Sequence, residues 1–332
     1  MRQQFYPCAN AGGVSTAGWI RPILRRLVAL IPTTIIAASL VLLLINIVPG
    51  NVAEMIIGTG GSRREMDAMA ERLGLNKPLL ERFVVWLSML LTGDLGRSYI
   101  TGQSVNELIG DRLPVTLSLT FLSMMIAAAI AVPAGIVSAL KRNTKTDLAV
   151  SIASFAGISM PTFWLGLMML LFFSIWLRIL PSAGYVSFSQ DPVGWLSHLI
   201  MPSTMLGLSL AAFLTRMVRS CMTEVMIEDY VVTARAKGLP ERVVIYRHAL
   251  KNAFIPVVTV LGFQFAGLFG GAIVAEKIFS LPGIGRLVLI SVMNRDFVVL
   301  QGCTLVIVVV FLLTNLVVDM AYMILDPRVR IG

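Results

Sequence analysis

Apolar residues in this chain gather into long runs and do not alternate with polar ones. Six runs stand out: 27–48, 115–140, 148–177, 199–218, 253–275 and 298–325. A helix rises ~1.5 Å per residue and the hydrocarbon layer is ~30 Å thick, so about 20 apolar residues make one crossing. Each run predicts one spanning helix. The expected fold is all-α: a polytopic membrane protein with six transmembrane helices. The third run is long for one crossing and holds Pro161, where a kink or tilt is predicted. Pro133, Pro202 and Pro256 also fall within or near the ends of runs.

The stretches between runs divide the chain. Residues 1–22 are weakly hydrophobic, lack the apolar core of a signal peptide, and read as a disordered tail. Residues 23–332 read as one six-span domain. A long outer loop, 49–114, is expected to carry short amphipathic helices. A second large loop, 215–252, lies between the fourth and fifth runs.

Composition supports the membrane reading. Apolar residues make up 57% and charged residues 14%, where a soluble domain carries about a quarter charged. The formal charge of +9 raises nucleic acid as a partner. The basic residues, however, are scattered among loops with no clustered tract or aromatic-interleaved stripe, which speaks against it. Six spans put both termini on one side. The loops of that side hold 16 Lys and Arg against 6 Asp and Glu, and those of the other side hold 11 of each sign. The positive-inside rule places the basic side, and both termini, in the cytoplasm. The expected location is the inner membrane, with lipid as an obligatory partner.

Catalytic chemistry is missing. There is no phosphate-binding G-x-x-x-x-G-K-[ST] loop; Lys145 is followed by Thr146, but Thr144 stands where Gly is needed. The histidines are His198 and His248, so no H-E-x-x-H exists, and there is no G-x-S-x-G elbow. Cys8, Cys221 and Cys303 have no metal-like or redox-like spacing. The chain is expected to be a non-catalytic transport subunit with no cofactor of its own.

A few polar residues inside or beside the runs are candidates for the pathway or its gate. They are Ser118, Gln264, Asn315 and Asp319, with Thr120 and Ser123 as milder ones. Asn315, Asp319, Tyr322 and Asp326 share one helical face. Asp319 lies only ~10 Å of helix rise from Asp326, near the inner interface. Pairing with a basic residue is its first reading, and gating the second. Gly262, Ala266, Gly267, Gly270 and Gly271 read as packing positions.

The loop 215–252 is the most informative. Gly238 breaks a helical pattern, and Pro240 with Glu241 signals a new start. Val243, Val244 and Tyr246 add apolar contacts; Arg247, His248 and Lys251 follow. A short amphipathic helix here suits docking into a partner's groove or lying solvated on the membrane surface.

Thr233-Ala-Arg-Ala-Lys-Gly238, continuing to Arg247-His248-Ala249-Leu250, resembles the coupling loop of the dipeptide and oligopeptide branch of ABC importer permeases. Other motifs are similar in the same order. They are Leu73-Gly-Leu-Asn-Lys-Pro78, Gly93-Asp-Leu-Gly-Arg-Ser98, Ser104-Val-Asn-Glu-Leu-Ile109, Leu113-Pro-Val-Thr116, Leu281-Pro-Gly-Ile-Gly-Arg286, Asn294-Arg-Asp296 and Asp326-Pro-Arg328. The likeness runs along nearly the whole chain from Ile23. The chain departs from the branch at Pro49-Gly50-Asn51-Val52, usually P-G-D-P, and has a longer tail before Arg21. The broader importer signature E-A-A-x-x-x-G-x(9)-I-x-L-P is poorly met. Val232, Thr233 and Ala234 stand for E-A-A, His248 for Ile and Lys251 for Pro, while Leu250 is kept.

The resemblance implies a type I ABC importer permease that moves substrate by alternating access. It implies contact with the ATPase through Ala234, Arg235, Ala236, Lys237, Gly238, Leu239, Pro240, Glu241, Arg242, Arg247 and His248. It also implies partners: a second homologous permease, two ATPase subunits that carry the ATP and Mg, and an extracytoplasmic binding protein. Di- or oligopeptides are the first cargo it suggests; nickel chelates, glutathione, opines and sugars are the alternatives. An ion-driven secondary transporter is the reading from another class. It predicts internal repeats with interrupted helices and central carboxylates, and neither is seen.

Overall fold

The computed structural model describes residue 28 and residues 32–36, 39–40, 62–72 and 76–325. The tail 1–22, most of the first predicted span, and the stretch from Asp326 onward lie outside the described residues. Among the described residues the structure is helical, with one isolated bridge between Arg97 and Ser104.

Two helices sit in the long outer loop, α1 (Arg63–Arg72) and α2 (Leu79–Leu91). Helix α3 (Val105–Leu140) is 36 residues long, about 54 Å. It starts at Val105, where hydropathy placed the second span at 115. Glu107, Asp111 and Arg112 hid this extension. Its other face buries Val105, Leu108 and Ile109, so packing holds it helical through Pro114.

The third span is broken. Helices α4 (Lys145–Ser159) and α5 (Thr162–Met169), the latter continued by a π segment to Trp176, meet at 95°. The cause is local. Proline crowds the residue before it out of the α region, and Met160 takes an extended ψ of 126°. The expected kink is therefore a full break, and neither half is long enough to cross alone.

Helix α6 (Pro192–Val225) holds 34 residues and starts with Asp191 accepting from the Val193 N–H. Then come α7 (Asp229–Ala236), α8 (Glu241–Val243), a π turn (Val244–Ala249) and α9 (Leu250–Gly271). The last three form one helix, Glu241–Gly270, passing the length and hydropathy test for a span. Short helices α10 (Ile273–Ile278) and α11 (Ile284–Met293) precede α12 (Phe297–Leu325). Among the described residues four helices are long and apolar enough to cross a membrane, and the count is five if the broken pair forms one span.

Small residues set the packing. A Cβ on Gly135 would lie 2.6 Å from the Val218 Cβ, and one on Gly207 would lie 2.9 Å from the Ser123 carbonyl. Positions 123–135 of α3 thus match 207–218 of α6 in the same order, so the two helices run parallel. Glycine permits this approach because it has no side chain in the interface. Helix α4 lies antiparallel, with Gly157 against Ala212. Three apolar clusters stack along the bundle. One, at the basic end, joins Ile136, Leu214, Val218 and Met222 to Val231, Val244 and Ile245. The middle one holds Leu119, Leu199, Met205 and Phe279. The third, at the opposite end, holds Val105, Phe269, Ile284 and Val299.

Candidate functional site

At the basic end, α7 is a separate short helix. Its Val231 and Ala234 are buried against α3 and α6. The chain then turns at Gly238, whose φ of +75° lies in the left-handed region that glycine tolerates. The Gly238 N–H donates to the Arg235 carbonyl at 2.9 Å. Arg235 bridges the turn, its Nη2 2.8 Å and its Nε 3.2 Å from the Glu241 carboxylate. That pair holds the Glu241 carboxyl below its usual range, and its exposure keeps it weak.

The stretch from Leu239 to His248 is not the free-standing helix that the sequence predicts. Once Pro240 restarts the helix, no glycine or proline interrupts it before Pro256. Burial of Val244, Ile245 and Ala249 in the cluster at that end ties the segment to the bundle. Ala236, Lys237, Leu239, Pro240, Arg242 and Arg247 are exposed, and His248 is half-buried. Around them Ile227, Tyr230, Val232, Leu239 and Tyr246 expose apolar surface at 74%, 39%, 51%, 38% and 63%. Five such side chains around one exposed turn form a surface suited to an apolar partner.

Beside this face, Asp147 closes a clasp. Arg219 approaches it bidentately, Nε at 2.7 Å and Nη2 at 2.8 Å. The Ser138 hydroxyl at 2.5 Å and the Asn143 N–H at 3.0 Å also donate to it. These donors hold the Asp147 carboxyl far below its ordinary value, Arg219 first. The sign follows. A depressed folded-state pKa stabilises above the unfolded value of about 3.9 and is lost only as pH falls below it. The clasp should therefore be constant between pH 5 and 8. Asp147→Asn should cost about 1–3 kcal/mol at neutral pH. Thermal unfolding of the detergent-purified chain checks this: native and variant should differ at pH 7 and converge in acid.

Two further clasps lie at the opposite end. The Ser98 hydroxyl donates to the buried Asp296 carboxylate, which also accepts from the Tyr99 N–H. This ties Gly93-Asp-Leu-Gly-Arg-Ser98 to Asn294-Arg-Asp296, two motifs far apart in the chain. The other clasp centres on Glu276, which is fully buried. It accepts from the Thr116 hydroxyl at 2.8 Å and the Arg286 N–H at 2.7 Å. Thr116 in turn accepts from the Ile284 N–H. The Glu276 carboxylate thus caps the start of α11, where unpaired amides favour negative charge.

A groove of about 450 Å³ lies between α3, α4 and α6; it is apolar and lined by Ile130 and Ala134 of α3, Ala153 and Gly157 of α4, and Leu208 and Ala212 of α6, among others. Met160 and Thr162, on either side of the break, also line it. A second groove, about 460 Å³, shares no residue with the first and is lined by Ser151, Phe155, Phe213, Arg216 and Ser220, among others.

The predicted pathway residues fall elsewhere. Ser118 is half-buried on α3, and Asn315 and Asp319 are half-buried on α12. Gln264 on α9 has a buried Oε1 without a hydrogen-bond partner. None of the four lines either groove. The groove residue that sequence reasoning passed over is Arg216, and its signal was an arginine inside the fourth apolar run.

Residues 131–331 match the family described as binding-protein-dependent transport system inner membrane component. Residues 19–120 match its N-terminal counterpart. The chain belongs to this family. A putative peptide transport system permease of Brucella abortus is 42% identical over 93% of this chain and 98% of its own length. A dipeptide transport system permease of Alkalihalophilus pseudofirmus is 40% identical, covering 92% of this chain and 98% of itself. A glutathione transport system permease of Escherichia coli is 40% identical over 93% of this chain and 98% of itself. A solved inward-facing methionine ABC transporter superposes with a TM-score of 0.55 at 19% identity, over 66% of this chain and 96% of that one. This likeness shows the fold, and the expected type I importer permease architecture stands. A transport-component family with several apolar helices makes this a multi-pass inner-membrane protein.

Proposed function

We propose that this chain is one permease of an ATP-driven peptide importer. It moves di- or oligopeptides by alternating access, together with a second homologous permease, two ATPases and an extracytoplasmic binding protein. The observation that carries the translocation role is the exposed break at Met160 and Pro161, with Met160 43% exposed. A broken helix leaves carbonyls and amides unpaired, and lipid cannot satisfy them. Such a break is tolerated where it lines a water-filled cavity or meets protein. The groove beside the break is therefore this chain's half of the pathway, and the second permease supplies the other half.

The exposed turn at Gly238, with its apolar rim, is the ATPase-docking face. This puts the basic end in the cytoplasm, in accord with the loop charges. The cargo of the peptide and dipeptide permease relatives supports peptides; the glutathione relative supports glutathione as a second cargo. The test is uptake of labelled dialanine and trialanine into proteoliposomes holding the whole transporter. ATP-dependent uptake that requires the binding protein is expected. Uptake of nickel chelates or sugars instead would overturn the cargo, and uptake without the ATPases would overturn the coupling. Ser187→Cys should label from outside intact cells with an impermeant thiol reagent and Thr144→Cys should not; the reverse pattern would sink the orientation.

A further inference from the structure

We infer that the carbonyls freed at the Met160–Pro161 break receive the N-terminal ammonium of the peptide in transit. This deepens the peptide reading above and rests on it. In an unbroken helix each carbonyl accepts from the N–H four residues further on. The Gly157 carbonyl would pair with residue 161, which is proline and has no N–H. The Ile158 and Ser159 carbonyls would pair with Thr162 and Phe163, which the 95° bend carries away. Among the described residues no backbone N–H donates to any of the three. Three acceptors thus stand together at the end of α4. Gly157 lines the groove beside the break, and glycine has no side chain, so what it presents there is main chain.

The occupant follows from the sign of these groups. They accept only, and they sit at the end of a helix, where the macrodipole is negative and favours a cation. None of the residues lining the groove is ionisable, so no carboxylate competes for that cation. The wall beside Gly157 is apolar and small, with Ala134, Ala153 and Ala212, and it takes varied side chains without preference. What unmodified peptides share is the terminal ammonium, three N–H donors on one positive charge. Bonds from a charged donor are about twice as strong as neutral ones. An acceptor cluster beside an indifferent wall therefore recognises peptides as a class. Lipid tails cannot fill this role, because hydrocarbon leaves the carbonyls unpaired.

The test reads occupancy at the break itself, so delivery by the binding protein does not enter. The complete transporter, freed of native cysteines and carrying Ala153→Cys, is placed in phosphatidylcholine nanodiscs. The rate of thiol labelling is measured with trialanine and with N-acetyl-trialanine, each against a peptide-free control at the same pH. At pH 7 trialanine should half-protect at a concentration about 10-fold or more below that of the acetylated peptide, as one charge-assisted hydrogen bond implies. The advantage should shrink above about pH 9, because an N-terminal amine loses its charge near pH 8. Pro161→Ala restores the missing N–H and lets α4 continue; it should bring the two peptides to equal concentrations. A cysteine at Ser187, in the outer loop, should be protected by neither.

Equal protection by the two peptides at pH 7, or none by either, overturns the proposal. So does a trialanine advantage that persists in Pro161→Ala. Where that variant fails to accumulate, the comparison of the two peptides at low and high pH decides alone. Protection by phosphatidylethanolamine added to the nanodiscs, without peptide, would assign the carbonyls to a lipid headgroup and overturn it too. If the transporter takes up no trialanine, the cargo reading fails and this proposal with it. If it takes up trialanine and acetylation makes no difference at Ala153→Cys, only this proposal fails.

Discussion

Gly238→Asp is expected to leave the spans inserted and to abolish coupled uptake. The turn lies outside the bundle, and a Cβ at this position meets nothing within 4 Å in the isolated chain. The local cost is therefore one of backbone strain at φ +75°, about 1–2 kcal/mol. That is too little to unfold a helical bundle whose basic-end cluster is anchored by Val231, Val244 and Ile245. A complete loss of uptake would thus point to the proposed docking of an ATPase at this turn. Membrane level, ATPase co-purification, and substrate-stimulated hydrolysis with uptake are the measurements. Gly238→Asn, with the same bulk and the same tolerance of the left-handed region, removes only the charge. Rescue by Asn would assign the loss to the charge, and an equal loss would assign it to the bulk. Normal values for all measurements with Asp would remove this turn from the coupling face.

The second large effect is expected from Gly283→Ala. A Cβ at Gly283 would lie 2.0 Å from Oε1 of Glu276 and 2.2 Å from its Cδ. A carboxylate at the end of a flexible chain can often step aside. This one is fully buried and held by Thr116 and Arg286. Moving it strands a buried charge and uncaps α11 together. A loss of more than about 3 kcal/mol fits that combination. The chain should accumulate poorly in the membrane and unfold at a lower temperature in detergent. Gly267→Ala, where a Cβ meets nothing within 4 Å, is the control and should behave as native. Native-like accumulation of Gly283→Ala would show that the Glu276 clasp carries little of the fold.

Much of this architecture was legible in residue order. Runs of apolar residues located the helices, because a bilayer imposes one length on every crossing. Pro161 announced trouble in the third span, and Gly238 announced a break in the loop's helical pattern; both act through the local backbone and need no partner to be read. What escaped was set by tertiary contact. Hydropathy began the second span only at Val115 because Asp111 and Arg112 are charged, yet Val105 and Ile109 are buried by residues nearly two hundred positions later. The same holds for the second groove. Arg216 was counted as a loop charge, and its partner Phe155 sits on a different helix, so no local spacing joins them. The polar residues chosen for the pathway were picked for polarity inside apolar runs, a criterion blind to which face of each helix is open.

The Ser98–Asp296 clasp spans 198 residues of chain, and this sets a clock on biogenesis. At ~5–20 residues per second of synthesis, Ser98 waits roughly 10–40 s for its acceptor. During that interval the 93–104 loop lacks its long-range anchor. A chain truncated before Asp296 never supplies the acceptor, and the loop stays open for good. The clasp therefore doubles as a completeness mark. A surface protease that cuts the open 93–104 loop would clear unfinished chains and spare finished ones.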